Sequence, residues 1–587
     1  MSQEYLFLFT ISPVKSFIAQ SRKTQDLYAG SRLLSDLCRE GAKHIKDYYN
    51  ADIIFPYIDF TKVNQSLPNR FVIKVNEQEK KLEDIGFETE TIVRTFFINE
   101  ANKLLTEKSL KKPTGFDEQI EKHLEINWAF LPLDRDYEVV YQELESLIGS
   151  IKNTRLFSQF DNGNGEQGRK CSLDGERNAL FFGRKKTAYS QSDAEILNDF
   201  MLEEREGLSA VSFLKRYYEK TTFDSIAHIA LYDTLDELLP NEKKIVAEYE
   251  NIFKDVNSFS KVCLKNSSEI KFDSKDFNYQ FDEQFLFSEN LTEKYIPNPQ
   301  QLDCAKTFFL QQIPKSLKSE RNKYYAILTF DGDNMGKWLS GAKTPTLKGA
   351  TFEKFHKELS KLLGKFAQDA EDNVKAPEGK TVYAGGDDYL GFINLNYLFP
   401  VMQKLRKDFD DKVNQPLKIE FGHTEDFTFS AGVAIAHYKT PMSIVLKKAE
   451  IMQSVAKEKG YRNAFAISVL KKSGESNETY FKWNELEKVK LIIEELKDNF
   501  STKFLRSLAK EFYLLMNDKG VVEEDLVASE TERLLKRACL IEDKILKTQK
   551  TTLITNTIVA MQDKASTARV LETLYICDFI ERNLNSN

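Results

Sequence analysis

The stretch KTVYAGGDDYLGFIN, Lys380–Asn394, sets two β-rich arms around Gly385-Gly386-Asp387-Asp388. Arms of this composition on either side of a Gly-Asp turn predict a β-hairpin. The glycine pair serves a tight turn or the close approach of a ligand. Two adjacent carboxylates repel each other unless a cation lies between them, so the hairpin tip points to a divalent metal.

Upstream, LTFDGDNMGKWL (328–339) reads as an apolar strand that ends at Asp331 and turns through Gly332, Asp333, Asn334, Met335 and Gly336 into a helix. A carboxylate at such an edge can hold Mg²⁺ while free N–H groups of the turn meet phosphate oxygens. If this strand and the hairpin are neighbours in one antiparallel sheet, Asp331, Asp387 and Asp388 meet at one edge. Three carboxylates there suit a two-metal site, with Mg²⁺ or Mn²⁺ activating a ribose hydroxyl and neutralising a triphosphate. Downstream, AKEKGYRNAFAI (456–467) places Lys457 at a helix end, where it can neutralise phosphate charge.

Each element also has a simpler reading. The hairpin tip is an ordinary Gly-Asp turn, DGDN is an N-cap and turn, and Lys457 is a solvated charge. Their conjunction in one unit, in this order, favours a site. An EF-hand fails because Met335 and Ala342 stand where oxygen ligands are required. A haloacid-dehalogenase-like phosphatase also has D-x-D after a strand and would make Asp331 a covalent nucleophile; against it, YLGFIN continues as a strand directly after Asp388.

At 587 residues, with 41% hydrophobic and 29% charged residues, the chain reads as several globular domains. A net charge of −7 gives no global nucleic-acid signature, so RNA contact would be local, as at KILKTQK (544–550), or borrowed from partners. No leader and no membrane-length apolar run is evident, and six scattered cysteines without a C-x-x-C pair fit reduced thiols, so a cytoplasmic protein with no membrane contact is expected.

The expected fold class is α+β, with two ferredoxin-like palms and two mostly helical domains. Residues 1–154 form a first, non-catalytic palm with one long helix from about Val14 to Tyr49. Residues 155–321 hold an irregular Gly-rich module followed by helices, 322–480 the catalytic palm, and 481–587 a helical domain. The first palm has no acidic residue between Tyr5 and Gln25, so only the second can hold metal at its strand end.

GGDD at 385–388, FSAGVAIAH at 429–437 and AKEKGYRN at 456–463 resemble the nucleotide-cyclase palm shared by GGDEF-type cyclases and the large subunit of type III CRISPR–Cas effector complexes. The Cmr (III-B) version is the closest. Its features recur in SPVKSFIAQSRKTQDLYAGSRLLSDL (12–37), LPNRF (67–71), KCSLDGER (170–177) and LSAVSFLKRYYE (208–219). The resemblance implies a subunit that works with other Cmr subunits, guide CRISPR RNA and target RNA. On target binding it would convert ATP to a second messenger, either cyclic oligoadenylate or a conjugate of AMP with S-adenosylmethionine. Carried over by motif, Asp331, Asp387 and Asp388 hold the metals and Gly332–Gly336 with Lys457 the triphosphate. Gly385 and Gly386 allow close approach, Ser430 contacts nucleotide, and Ser12–Lys23 with Pro68–Arg70 help form a composite pocket for a second nucleotide.

Two departures accompany it. None of the six histidines is followed by Asp, so an HD-less variant without DNA cleavage is expected. The family's zinc module shows C-x-x-C where this chain has Cys171-Ser-Leu-Asp174, so structural zinc is not expected and Cys171 would pack in a small hydrophobic cluster. The non-enzymatic alternative is an RNA-binding scaffold that has lost signalling.

Overall fold

Strand β1 (Gln3–Ser12) is continuously apolar from Tyr5 to Phe9, with no alternation, because both of its faces are covered there. Leu6 and Leu8 join a core shared with the second palm, while Phe7, Phe9 and Ile11 join a second core beneath two helices. The structure, a computed structural model, describes residues 3–584 except 63, 78, 155–167, 198–200, 220–222, 254–281, 424, 472–473, 498, 502, 516–521 and 562–566. The Gly-rich run at 155–167 and Cys263 therefore lie outside the described residues.

With β2 (Asp52–Phe55), β3 (Arg70–Glu77) and β4 (Glu125–Pro132), β1 forms a sheet of order β2-β3-β1-β4. Helices Thr24–Tyr49 and Glu79–Glu107 complete the ferredoxin-like βαββαβ plan. The long helix expected from Val14 is two helices, Lys15–Ala19 and Thr24–Tyr49. The break occurs because the Asp26 carboxylate accepts the backbone N–H groups of Arg22 and Lys23, each at 3.0 Å, and starts a new helix there. β2 is only four residues long, too short to announce itself by alternation.

Between the palms, β5 (Phe181–Gly183), β6 (Glu195–Leu197) and β7 (Gly207–Leu208) form a small sheet, followed by helix Ala210–Tyr217 and further helices. The second palm contains β8 (Tyr324–Gly332), β9 (Gly379–Ala384), β10 (Tyr389–Asn394), β11 (Phe429–His437), β12 (Ala464–Leu470) and β13 (Ser476–Lys482), in the order β13-β12-β11-β8-β10-β9. The run β11-β8-β10-β9 repeats the first palm's order. β12 adds parallel to β11 after helix Met442–Glu458, and β13, which the sequence reading did not anticipate, carries the sheet to Lys482.

Helix Gly349–Asn373 presents the stripe Phe352, Phe355, Leu359, Leu363 and Phe366 to the sheet, all nearly fully buried. Helix Tyr137–Asn153 packs in the same core and joins the palms, with Tyr137 Oη 2.9 Å from His356 Nδ1 and Gln142 Nε2 donating to Ser340 O at 2.6 Å. The described part of the chain beyond Lys482 is helical, including Leu486–Leu496, Glu524–Ala538 and Lys544–Val559. No helix among the described residues is long and apolar enough to cross a membrane.

Candidate active site

Register alone brings the three carboxylates together. Tyr389 of β10 lies opposite Phe330 of β8. One and two steps further out, an antiparallel ladder sets Asp388 across from Asp331 and Asp387 across from Gly332. A ligand oxygen from each of Asp331, Asp387 and Asp388 lies within 4.8 Å of the others. Gly332 is required by this arrangement, since a Cβ there would sit 2.9 Å from Asp387 Cβ and 3.0 Å from its Oδ2.

The hairpin tip is a two-residue turn. Gly385 N–H donates to Asp388 O at 3.0 Å, and Gly386 takes φ 104°, a conformation open to glycine. Gly385 lies beneath the Tyr383 side chain, which a Cβ would strike.

Burial and the charge of Asp388 push Asp387 above the ordinary carboxylate range. Burial also raises Asp388, against the opposing pull of Lys15. A half-buried and an exposed carboxylate that resist simultaneous ionisation, joined by the half-buried Asp331, form an all-oxygen donor set that fits a hard divalent cation. Lys457, in the last turn of helix Met442–Glu458, forms an ion pair with Asp331. Burial and the nearby Arg462 and Lys15 charges draw the Lys457 ammonium down to about 8, while the Asp331 carboxylate acts in the opposite sense.

The remaining sequence-selected residues divide in two. Asp333 is 2% exposed and faces inward. Its carboxylate accepts from Thr428 Oγ1 at 2.8 Å, Ser430 Oγ at 2.7 Å and the Asn463 N–H at 2.9 Å. Ser430 is fully buried, so the pair fastens the loop after β8 to β11 and to the entry of β12. That entry is unusual: Tyr461, Arg462 and Asn463 have φ of 51°, 59° and 47°. Three successive non-glycine residues in the left-handed region store strain of about 1–3 kcal/mol each, held here by Asp333 and by Lys482, which donates to Arg462 O at 3.1 Å.

Asn334 also has positive φ, 57°, and starts the short helix Met335–Leu339. Met335 lines an apolar recess with Phe55 and Tyr141 of the first palm, whereas a Cβ on Gly336 would meet nothing within 4 Å. Asp333→Ala should lower stability by at least about 2 kcal/mol, because three donors lose their acceptor at once. Thermal denaturation with the wild type alongside checks this, and Asp333→Asn should recover part of the loss.

A cavity of about 430 Å³ opens beside the acidic cluster, between the palms. Lys15, Pro68 and Asn69 of the first palm line one wall, and Asp331, Asp388 and Tyr383 of the second another. Glu450, Gln453 and Ser454 face it as well, and sequence reading passed them over. Their spacing to Lys457, at 450, 453, 454 and 457, is one helical stripe, a signal that was available.

Cys171 is buried, but its setting is polar rather than the hydrophobic cluster expected. Its sulfur lies 3.3 Å from Ser212 Oγ and accepts from the Leu173 N–H, while Asp174 accepts from Ser209 and Ser212.

Residues 324–466 match the second palm domain of Cas10/Cmr2, and residues 6–131 match the N-terminal domain of the CRISPR-associated protein Cmr2. A curated relative, the CRISPR system Cmr subunit Cmr2 of Pyrococcus furiosus, is 26% identical over 570 residues. The alignment covers 80% of this chain, which spans 62% of that relative's length. Among solved structures, the chain shares its fold with the type III-B Cmr-beta cryo-EM structure bound to cognate target RNA, at TM-score 0.64 and 13% identity, covering 99% of this chain and 83% of that one. The apo state of Cmr-beta gives 0.65 at 13% identity, with 98% and 82% covered.

Proposed function

We propose that this chain, a Cas10/Cmr2-type protein by both of its palms, is the large subunit of a type III-B effector complex and a metal-dependent nucleotidyltransferase that turns ATP into a second messenger. The convergence of Asp331, Asp387 and Asp388 at the mouth of the inter-palm cavity carries this reading. Mg²⁺ or Mn²⁺, when bound there, would neutralise phosphate charge and favour ionisation of a ribose 3′-hydroxyl.

The chain's own residues do the rest. Lys457 neutralises triphosphate charge from the helix end, in exchange for its ion pair with Asp331. The Gly332–Gly336 turn, held in place by Asp333 and Ser430, follows Asp331 and would meet the triphosphate through backbone N–H groups other than that of Asp333, which donates to Thr428 O at 2.7 Å. Gly385 and Gly386 keep the hairpin tip low enough for a nucleotide to approach. The first palm, through Lys15, Pro68 and Asn69, supplies the facing wall for the second nucleotide whose hydroxyl attacks the α-phosphate. Bond formation from O3′ to the α-phosphorus releases pyrophosphate.

The proposed partners are the other Cmr subunits, guide CRISPR RNA and target RNA, in the cytoplasm. Mass spectrometry of products from the reconstituted complex, with guide, matching target, ATP and Mg²⁺ or Mn²⁺, with and without S-adenosylmethionine, tests the reading. A cyclic adenylate ladder or an S-adenosylmethionine-dependent AMP conjugate supports it. Absence of product favours a scaffold, and inorganic phosphate without pyrophosphate favours a phosphatase.

A further inference from the structure

Residues 15–23, which carry Lys15 to the cavity wall, meet the buried Lys215-Arg216 pair of helix Ala210–Tyr217 in the interior. Lys215 is 1% exposed and Arg216 is fully buried. The Lys215 ammonium donates to Phe17 O, to Ile18 O at 3.4 Å and to Gln20 O at 2.9 Å, gathering the carbonyls at the end of helix Lys15–Ala19. Its stem lies so close to helix Thr24–Tyr49 that a Cβ on Gly30 would be 2.7 Å from Lys215 Cε.

Arg216 holds the other end of the segment. It forms a two-point ion pair with Asp26, with Nη2 to Oδ2 at 2.9 Å, and reaches Glu206 at 3.2 Å. Asp26 Oδ2 in turn accepts the N–H groups of Arg22 and Lys23. The ammonium thus holds the middle of the nine-residue strap, at residues 17–20, and the guanidinium, through Asp26, holds its far end at residues 22 and 23. The helix bearing them is itself anchored by Ser209, which accepts from the Ser212 N–H and donates to Asp174.

Apolar residues of similar volume hold a core together as well as a buried ion pair does, often better. What they lack is direction: three carbonyls converging on one ammonium set the orientation of the backbone that carries them. The strap's outer side provides Lys15, Ile18 and Ala19 to the inter-palm cavity, next to Val14 before it, and Lys15 is exposed there on the wall facing Asp388.

We propose that Lys215 and Arg216 are positioning residues for the nucleotide cleft, clamping residues 15–23 so that Lys15 meets the phosphates of the nucleotide held against the first palm. This rests on the reading of the cleft as a nucleotide site. Lys215 and Arg216 touch no nucleotide themselves; they act through Lys15.

Calorimetric titration of the chain with a non-hydrolysable ATP analogue and Mg²⁺ tests the clamp without requiring turnover. Lys15→Met should weaken binding about tenfold, the effect of losing one charge-assisted contact. Lys215→Met should weaken it to a similar degree, and the double variant should be no weaker than Lys15→Met alone, because the two residues act in series. Gly30→Ala, which forces the Lys215 stem aside while keeping its charge and a good helix former, should reproduce the Lys215→Met loss if that variant folds poorly. Unchanged affinity in Lys215→Met and Gly30→Ala, or losses that multiply in the double variant, would overturn the clamp while leaving the nucleotide site standing. A wild-type chain that binds no analogue would instead overturn the nucleotide reading and the clamp with it.

Discussion

Replacing Asp387 and Asp388 together by Ala should reduce pyrophosphate release by at least about 1,000-fold, since removal of one preorganised electrostatic group typically costs roughly 100- to 1,000-fold. The same substitution should not harm the fold. Both carboxylates have folded-state pKa values above their unfolded ones, Asp387 through burial and repulsion by Asp388, and Asp388 through burial. A raised carboxylate pKa means that ionisation opposes folding. The penalty is absent below the ordinary carboxylate range and grows as pH rises through that range to the folded values. The variant should therefore melt at or above the wild type near pH 8 without divalent ions, and the difference should vanish near pH 4. Addition of Mg²⁺ or Mn²⁺ should reverse the order, since a cation at about 100 times its Kd stabilises only the protein that binds it, by about 2.7 kcal/mol. Melting curves at two pH values, with and without cation, together with a pyrophosphate assay, check all three statements. A variant with wild-type turnover would refute the site assignment.

The second large effect comes from a residue that touches no carboxylate itself, two positions along β11 from the partner of Asp331. Gly432 on β11 lies directly under helix Met442–Glu458, where a Cβ would sit 2.1 Å from Ala449 O and 2.3 Å from Gln453 N. Both obstacles are backbone, so Gly432→Ala must lift the helix rather than rotate a side chain. Overpacking of this kind costs about 1–3 kcal/mol, and more where rigid backbone resists. The helix carries Glu450, Gln453, Ser454 and Lys457 along the cavity, and a displacement of about 1 Å at a catalytic group can cost roughly 100-fold in rate. We expect a lower melting temperature and about 100-fold slower turnover from Gly432→Ala. Gly149→Ala provides the contrast, because it lies on the exposed face of helix Tyr137–Asn153 with nothing within 4 Å of its Cβ; it should gain about 0.5–1 kcal/mol. Equal effects at the two positions would show that the close helix–sheet contact plays no part.

The parts of the molecule legible in the sequence are those set by local chemistry. A Gly-Gly-Asp-Asp turn between two β-rich arms specifies a hairpin, and an apolar strand ending in Asp specifies its partner, so the convergence of Asp331, Asp387 and Asp388 followed from pairing alone. The β-α-β order of both palms was readable for the same reason. What escaped depends on contacts distant in the chain. The break after Ala19 is imposed by Asp26 and by Lys215, about 190 positions later, and helical periodicity through Phe17 and Leu27 gave no sign of it. The inward turn of Asp333 depends on Ser430 of β11 and on Thr428 just before it, which a loop motif does not reveal. Lys15 and Gln453 face one cavity only because the two palms pack together.

If the acidic cluster of the second palm holds the divalent cations of a nucleotidyl-transfer site, anomalous diffraction from crystals grown with Mn²⁺ and a non-hydrolysable ATP analogue will locate them there. Manganese peaks are expected within coordination distance of Asp331, Asp387 and Asp388, with the triphosphate extending toward Lys457. A nucleotide bound elsewhere, or no manganese at these three carboxylates, would contradict that assignment.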